Sequence, residues 1–331
     1  MRPQILKYHK IMRKILYFAF AAVLAVAFAS CEKKSNSESG ENTAAWINPN
    51  SQNGLMLHKF SVADTRTVRF SQGNLQYRAS TGTWRFAPNQ WEMIGGDNSN
   101  RSMDYNGWID LFSWGATGYN GRLPHVVPSS SGDFQEPQGS IANTDYDWGY
   151  YLSIVNGGNQ KNLWRTLTDK EWEYLFHGRT NAEQRFGFAT VNDVEGLILL
   201  PDDWENPTEV LGFTASTDKG LNWESDFGSY QDRTKTVHYL DNNYTATQWK
   251  AMEKAGAIFL PAAGGYSNDT YFNKNINSDY NRGGYWSATR KNDNQVYVLD
   301  FYSNPTGTHT FLAPSTNTTH VQFGEAVRLV R

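Results

Sequence analysis

The feature that most restricts how this chain can fold is an alternation near its C-terminal end. In "GGYWSATRKNDNQVYVLDFYSN", Gly283 to Asn304, the residues Tyr297, Leu299 and Phe301 share one parity, and Val298, Asp300 and Tyr302 share the other. Successive strand side chains point to opposite faces, whereas helix faces repeat every three to four residues, so this run predicts a β-strand. If Tyr297, Leu299 and Phe301 pack inward, then Val298, Asp300 and Tyr302 point outward. A polar run, Thr289 to Gln295, stands directly ahead of the strand. The combination predicts a rigid platform carrying a contact surface. Tyr with Ser, Asn and Asp is a composition favoured in adaptable binding surfaces, because Tyr supplies area at low entropy cost. The plainer alternative is a solvated sheet edge.

Other segments carry local signals of the same quality. Leu75, Tyr77 and Ala79 alternate, Ser80 to Thr83 form a turn sequence, and Trp84 and Phe86 alternate back, which predicts a hairpin. In "TLTDKEWEYLFHGR", Thr168 and Glu171 have capping-box spacing, Trp172, Leu175 and Phe176 make an apolar stripe, and Gly178 is a stop. In "YTATQWKAMEKAGAIFL", Thr245 and Gln248 repeat the box, Trp249 and Met252 face inward, Gly256 ends the helix and a strand follows from Ala257 to Leu260. A third, weaker helix is predicted from Trp148 to Val155 with Asp147 as its cap. Long turn-rich segments lie between: Gly95 to Asn143, Pro201 to Tyr239, and Ser267 to Gly284. With 19% charged residues, 15% aromatic residues and 28 Gly, the chain is poorly suited to a helical bundle. The expected class is α+β with an antiparallel sheet, two main helices and long loops.

The N-terminal residues follow different rules. Arg2, Lys7, Lys10, Arg13 and Lys14 precede an apolar run from Ile15 to Ala29, the pattern of an export signal. The run ends on Ala29-Ser30-Cys31, and Cys31 is the only cysteine. This resembles a bacterial lipobox, with Phe28 where Leu is usual, and implies lipidation of Cys31. Loss of residues 1–30 leaves 25 Lys+Arg against 33 Asp+Glu, a net charge of −8. No basic stripe appears, so nucleic acid is not an expected partner. No thiol remains for a disulfide, so the core alone must stabilise the domain. The polar stretch 31–54 reads as a flexible stalk and 55–331 as the folded domain. The expected location is the outer membrane or cell surface, held by the lipid.

Four motifs, "LWRTLTDKEWEYLF", "AIFLPAAGGY", "GGYWSATRKNDNQVYVLDFYS" and "GEAVRLVR", together resemble the major paralogous domain (FISUMP) family of surface lipoproteins. "GNLQYRASTGTWRFAPNQWEMIG" and "GWIDLFSWGATGYN" resemble the N-terminal half of such proteins. The resemblance implies a C-type-lectin-like fold, related to formylglycine-generating-type domains. Some relatives carry a C-terminal segment diversified by retroelements. Tyr285-Trp286-Ser287 and Val327-Arg328-Leu329-Val330 match the two ends of such a segment. The implied contact patch is Thr289, Arg290, Asn292, Asn294, Asp300, Tyr302 and Asn304, near the segment Val321 to Arg331, with Trp286, Leu299, Phe301 and Arg328 as framework. Arg328 is expected to pair with a carboxylate or main-chain carbonyls.

The chemistry legible in the chain is sparse. Formylglycine generation needs active-site cysteines, and Cys31 is committed to the lipid. His177 reads as a helix-end residue. Asp202-Asp203 is either a carboxylate pair or a turn after a buried strand. Asn143, Asp145 and Asp147 alternate as calcium-loop oxygens do, but no bidentate Glu follows and Asp147 is the natural cap of the next helix. No catalytic residue, metal or cofactor is assigned. The expected function is binding of a protein or glycan ligand through the C-terminal polar and aromatic surface. The alternatives are a glycan-active hydrolase and a structural fimbrial or envelope component.

Overall fold

The alternating strand forms as one half of a long hairpin. The computed structural model describes residues 43–126, 137–210, 212–215, 242–267, 270–272, 281–303 and 315–331. The export signal, Cys31, the start of the proposed stalk, most of the loop 201–239 and Asn304 lie outside the described residues, as does the side chain of Tyr302. Asn281–Arg290 pairs antiparallel with Gln295–Ser303, with Gly283 opposite Phe301 and Gly284 opposite Asp300. The Gly-Gly pair is a packing requirement. A Cβ on Gly283 would stand 2.1 Å from the Phe301 ring, and one on Gly284 would stand 2.1 Å from the Glu325 carboxylate.

This hairpin lies in the larger sheet, in the order Thr270–Phe272, Gly265–Ser267, Gly324–Ala326, Asn281–Arg290, Gln295–Ser303, Ser315–His320, with Leu111–Ser113 also paired to Gly324–Ala326. The sheet is mostly antiparallel, but Gly324–Ala326 runs parallel to Asn281–Arg290. A four-stranded sheet of Asn243–Tyr244, Phe186–Val191, Val194–Leu199 and Ile258–Pro261 packs beside it. The described residues thus form a mixed α+β structure dominated by strands.

The parity expected to face outward is buried as well. Tyr285, Leu299 and Phe301 join one core cluster, with Phe70, Trp172, Phe188 and Leu260. Trp286, Ala288, Val296 and Val298 join a second, with Trp84, Trp114, Trp148 and Trp164. Both faces of the hairpin are covered, so both parities are buried between Val298 and Phe301. Val298 and Asp300 are 1% and 3% exposed, and Tyr297 is only half-buried. An alternating pattern predicts a one-sided sheet, but a two-sided sheet tolerates the same sequence when its second face is equally apolar.

The helices form where their caps predict. Glu171 N–H donates to Thr168 Oγ1 at 3.2 Å, and Thr168 N–H donates back to Glu171 Oε2 at 2.9 Å. Thr245 and Gln248 repeat the exchange at 3.3 and 2.9 Å. Trp172 and Trp249 are fully buried beneath these helices. Asp147 caps the third helix, but only Trp148–Tyr151 is helical. Beyond it Leu152 is extended and residues 155–158 turn, with the Val155 N–H donating to the Trp84 carbonyl at 3.0 Å.

The N-terminal boundary also moves. One compact unit spans Thr43–Arg331. Trp46 and Asn48 are buried, and the Trp46 carbonyl accepts from Gln72 Nε2 at 2.6 Å and Asn156 Nδ2 at 2.7 Å. Residues 43–54 are therefore part of the fold and not of a stalk, although their polar composition suggests otherwise.

Candidate ligand-binding site

The polar run of the sequence becomes the tip of the long hairpin, and side chains organise it. Asn292 Oδ1 accepts from the N–H groups of Asn294 and Gln295 at 3.1 and 3.0 Å, and Asn292 Nδ2 donates to Gln295 Oε1 at 3.0 Å. Asn292 and Asn294 are exposed. Arg290 is half-buried, and its guanidinium donates to the carbonyls of Asn292, Asp293 and Pro137, so it braces the tip. Thr289 is also half-buried and accepts from the Asp169 N–H at 3.3 Å, at the start of a helix.

Asp300 does not belong to this surface. It lies inside the sheet, where Arg282 Nε stands 2.9 Å from Asp300 Oδ1 and Arg282 Nη1 stands 2.7 Å from Glu325 Oε2. Asn317 Nδ2 adds a donor to Asp300 Oδ2 at 3.3 Å. Burial pushes the Glu325 carboxyl up to about 7, with Arg282 opposing and Asp300 reinforcing the rise. Asp300 is therefore set apart from Thr289, Arg290, Asn292 and Asn294, the other described members of the implied patch. Tyr302 lies in the strand opposite Arg282, and Asn304 is beyond the described residues. The segment from Val321 is framework rather than face, with Val321, Ala326, Val327, Leu329 and Val330 buried.

The framework residues lie where expected, with one change of partner. Trp286, Leu299, Phe301 and Arg328 are all at most 1% exposed. The indole N–H of Trp286 donates to the Phe112 carbonyl at 2.6 Å. Arg328 finds side-chain amides instead of a carboxylate or carbonyls, donating to Gln90 Oε1 at 2.7 Å and Asn74 Oδ1 at 3.4 Å. Burial pulls its guanidinium down to about 10, opposed by Tyr285 and Glu253.

What borders the tip is a cleft of about 400 Å³. Its lining includes Tyr119, Tyr146, Tyr150, Gln138, Asn143 and Asp145, and also Pro137, the residue that Arg290 ties to the tip. The loop is docked on the hairpin strand by two bonds to the Ala288 carbonyl, from Ile141 N–H at 2.9 Å and Ser140 Oγ at 2.6 Å. Tyr119 meets Tyr146 edge to face with centroids 5.1 Å apart, and meets Tyr151 at 5.6 Å. Asn120 Nδ2 donates to the Tyr146 hydroxyl at 3.1 Å. The rings are thus oriented before any ligand arrives, and Tyr119 remains 37% exposed. Tyr119 comes from the long turn-rich segment Gly95 to Asn143, whereas Tyr146 and Tyr150 follow that segment, and the rings converge through tertiary contacts.

The remaining carboxylate candidates are structural. Asp202 accepts from Ser61 N–H and Oγ, both at 2.7 Å, and pairs with Arg179 at 3.3 Å. Asp203 turns instead to His58 at 3.1 Å. His177 is exposed in the last turn of its helix. Asp147 is buried and accepts from Gly149 N–H and from Thr166 N–H and Oγ1 at 2.8 to 3.0 Å, so it is a cap rather than a calcium ligand beside Asn143 and Asp145. Among the described residues no group of three or more His, Cys, Asp or Glu is placed to hold a metal. No helix among them is long and apolar enough to cross a membrane. Comparison with family models, curated proteins and solved structures gives no match to this chain.

Proposed function

We propose that the chain is a lipid-anchored surface protein of the FISUMP type, with a C-type-lectin-like domain, that binds a glycan or protein ligand. The observation that carries the binding reading is the pre-oriented tyrosine cleft beside the exposed Asn292–Asn294 tip. Aromatic faces with amide and hydroxyl groups around them suit both sugar rings and peptide surfaces, because the contact area costs little side-chain entropy. The anchor and the location rest on the basic, apolar and Cys31 pattern of residues 1–31.

A glycan-active hydrolase is less well supported. Glycoside hydrolysis generally uses two carboxyl groups about 5 to 9.5 Å apart across the bond. Among the described residues Asp145 is the single carboxylate lining this cleft.

The test is a glycan and protein array probed with the mature chain carrying Cys31→Ser. A ligand retained by the parent should bind at least about tenfold more weakly to Tyr119→Ala, one lost hot-spot ring being worth about 1.4 kcal/mol or more. Equal binding by Tyr119→Ala and Asn292→Ala would place the ligand elsewhere and end this reading.

A further inference from the structure

A second cleft, of about 540 Å³, shares no lining residue with the first. Lys59, Arg69 and Arg331 line it together with Gln52, Asn53 and Thr67. The pairing of the chain places the cations in a row. Arg69 and Arg331 exchange both main-chain hydrogen bonds at 2.9 Å, so they are directly opposite residues of one antiparallel pair. The register that sets Phe60 opposite Val68 brings Lys59 beside Arg69 from the other side.

Like charges directly opposite each other on a sheet repel. Four arginines elsewhere in the fold are paired with carboxylates: Arg66 and Arg165 with Glu171, Arg179 with Asp202, Arg282 with Asp300 and Glu325. Among the described residues the side chains of Lys59, Arg69 and Arg331 have no such partner. Arg69 Nε is buried and unbonded, a donor whose lost hydration nothing in the fold restores. Three cationic side chains with no ion-pair partner among the described residues therefore line one cavity of a chain that is net acidic.

We propose that this cleft is a binding site for an acidic saccharide, whose carboxylate or sulfate ester sits between Arg69 and Arg331. Guanidinium forks bind planar or tetrahedral oxyanions through paired N–H donors, and Lys59 adds a point charge. Gln52, Asn53 and Thr67 offer amides and a hydroxyl suited to sugar hydroxyls. The volume lies in the range of small-molecule sites and fits a ligand of one or two sugar residues. The site goes beyond the tyrosine cleft and stands whether or not that cleft binds.

The experiment is calorimetric titration of the mature protein with digalacturonate, galactose 6-sulfate, inorganic sulfate and neutral galactobiose. At least one acidic sugar should bind, at least about tenfold more tightly than inorganic sulfate and than galactobiose, the equivalent of about 1.4 kcal/mol. Raising ionic strength from about 0.05 to 0.5 M should weaken it, because exposed charges are screened. Arg69→Gln and Lys59→Gln should each reduce affinity about tenfold or more, whereas Tyr119→Ala should not. Arg331→Gln should leave the melting temperature unchanged or higher, because it removes a repulsive neighbour, and should abolish the upward shift that the acidic sugar gives the parent. Binding of inorganic sulfate as tight as that of either acidic sugar would reduce the site to a free-anion site and overturn the saccharide assignment. Equal binding of galactobiose, an affinity unchanged in both Arg69→Gln and Lys59→Gln, or no binding by any probe would overturn the proposal.

Discussion

Replacing Asp300 by Ala separates the two accounts of the long hairpin most sharply. On an outward face the change would move stability by no more than about 0.5 kcal/mol, as surface substitutions do. In the structure Asp300 is 3% exposed and lies 2.9 Å from Arg282 Nε. Removing one partner of a buried pair typically costs about 3–5 kcal/mol, since the other charge is left desolvated. Here Arg282 keeps Glu325 at 2.7 Å, so the residual charge is still matched and the expected loss falls to about 2–4 kcal/mol. The pH profile should change as well. The Glu325 carboxyl is raised to about 7 from 4.5, partly by Asp300. A raised carboxyl binds its proton more tightly in the folded state. Its stabilising contribution is full below about 4.5 and is lost as pH rises through about 7. Without Asp300 the Glu325 carboxyl should titrate lower, and this alkaline-side loss should shrink. Urea unfolding at several pH values measures both effects, and a double-mutant cycle with Arg282→Met should show a coupling of about 0.5–3 kcal/mol. A loss below about 0.5 kcal/mol with no coupling would mean that Asp300 faces solvent, and the two-sided sheet would be wrong.

Trp286→Ala should cost about 3–5 kcal/mol in the same assay, because it empties a buried ring site and strands the Phe112 carbonyl. Thr168→Ala should cost about 1 kcal/mol through loss of the capping box, and Thr168→Ser should recover most of it. Burial raises Asp110 and Asp147 to about 6 from 3.8, so each should add stability as pH falls from about 7 towards 4; nuclear magnetic resonance titration of the side-chain carboxyls would check those positions. Cys31→Ser should leave the protein out of the membrane fraction or its precursor uncut, as fractionation and mass spectrometry would reveal.

Local rules carried far in this chain wherever a few adjacent residues decide the outcome. The two capping boxes at Thr168 and Thr245, the Asp147 cap, the Leu75–Phe86 hairpin and the strand after Gly256 are legible because cap and turn chemistry acts over three or four residues. Burial of Trp286, Leu299, Phe301 and Arg328 is equally legible, although the resemblance and not periodicity marks Arg328. The tertiary structure decided what lies on the other side. Asp300 reads as outward until Trp114, Trp148 and Trp164 are seen to form a second core under the same sheet. Trp46 and Asn48 look like stalk until Gln72, Asn156 and Glu253 bind them from far along the chain. The Lys59–Arg69–Arg331 row leaves no pattern in any one segment, because it is assembled from strands remote in sequence, and the tyrosine cleft, though drawn from residues 119–150, has no local periodicity that marks it. A sequence can state that a residue has two faces to choose from; only the packing of distant segments fixes which face meets water.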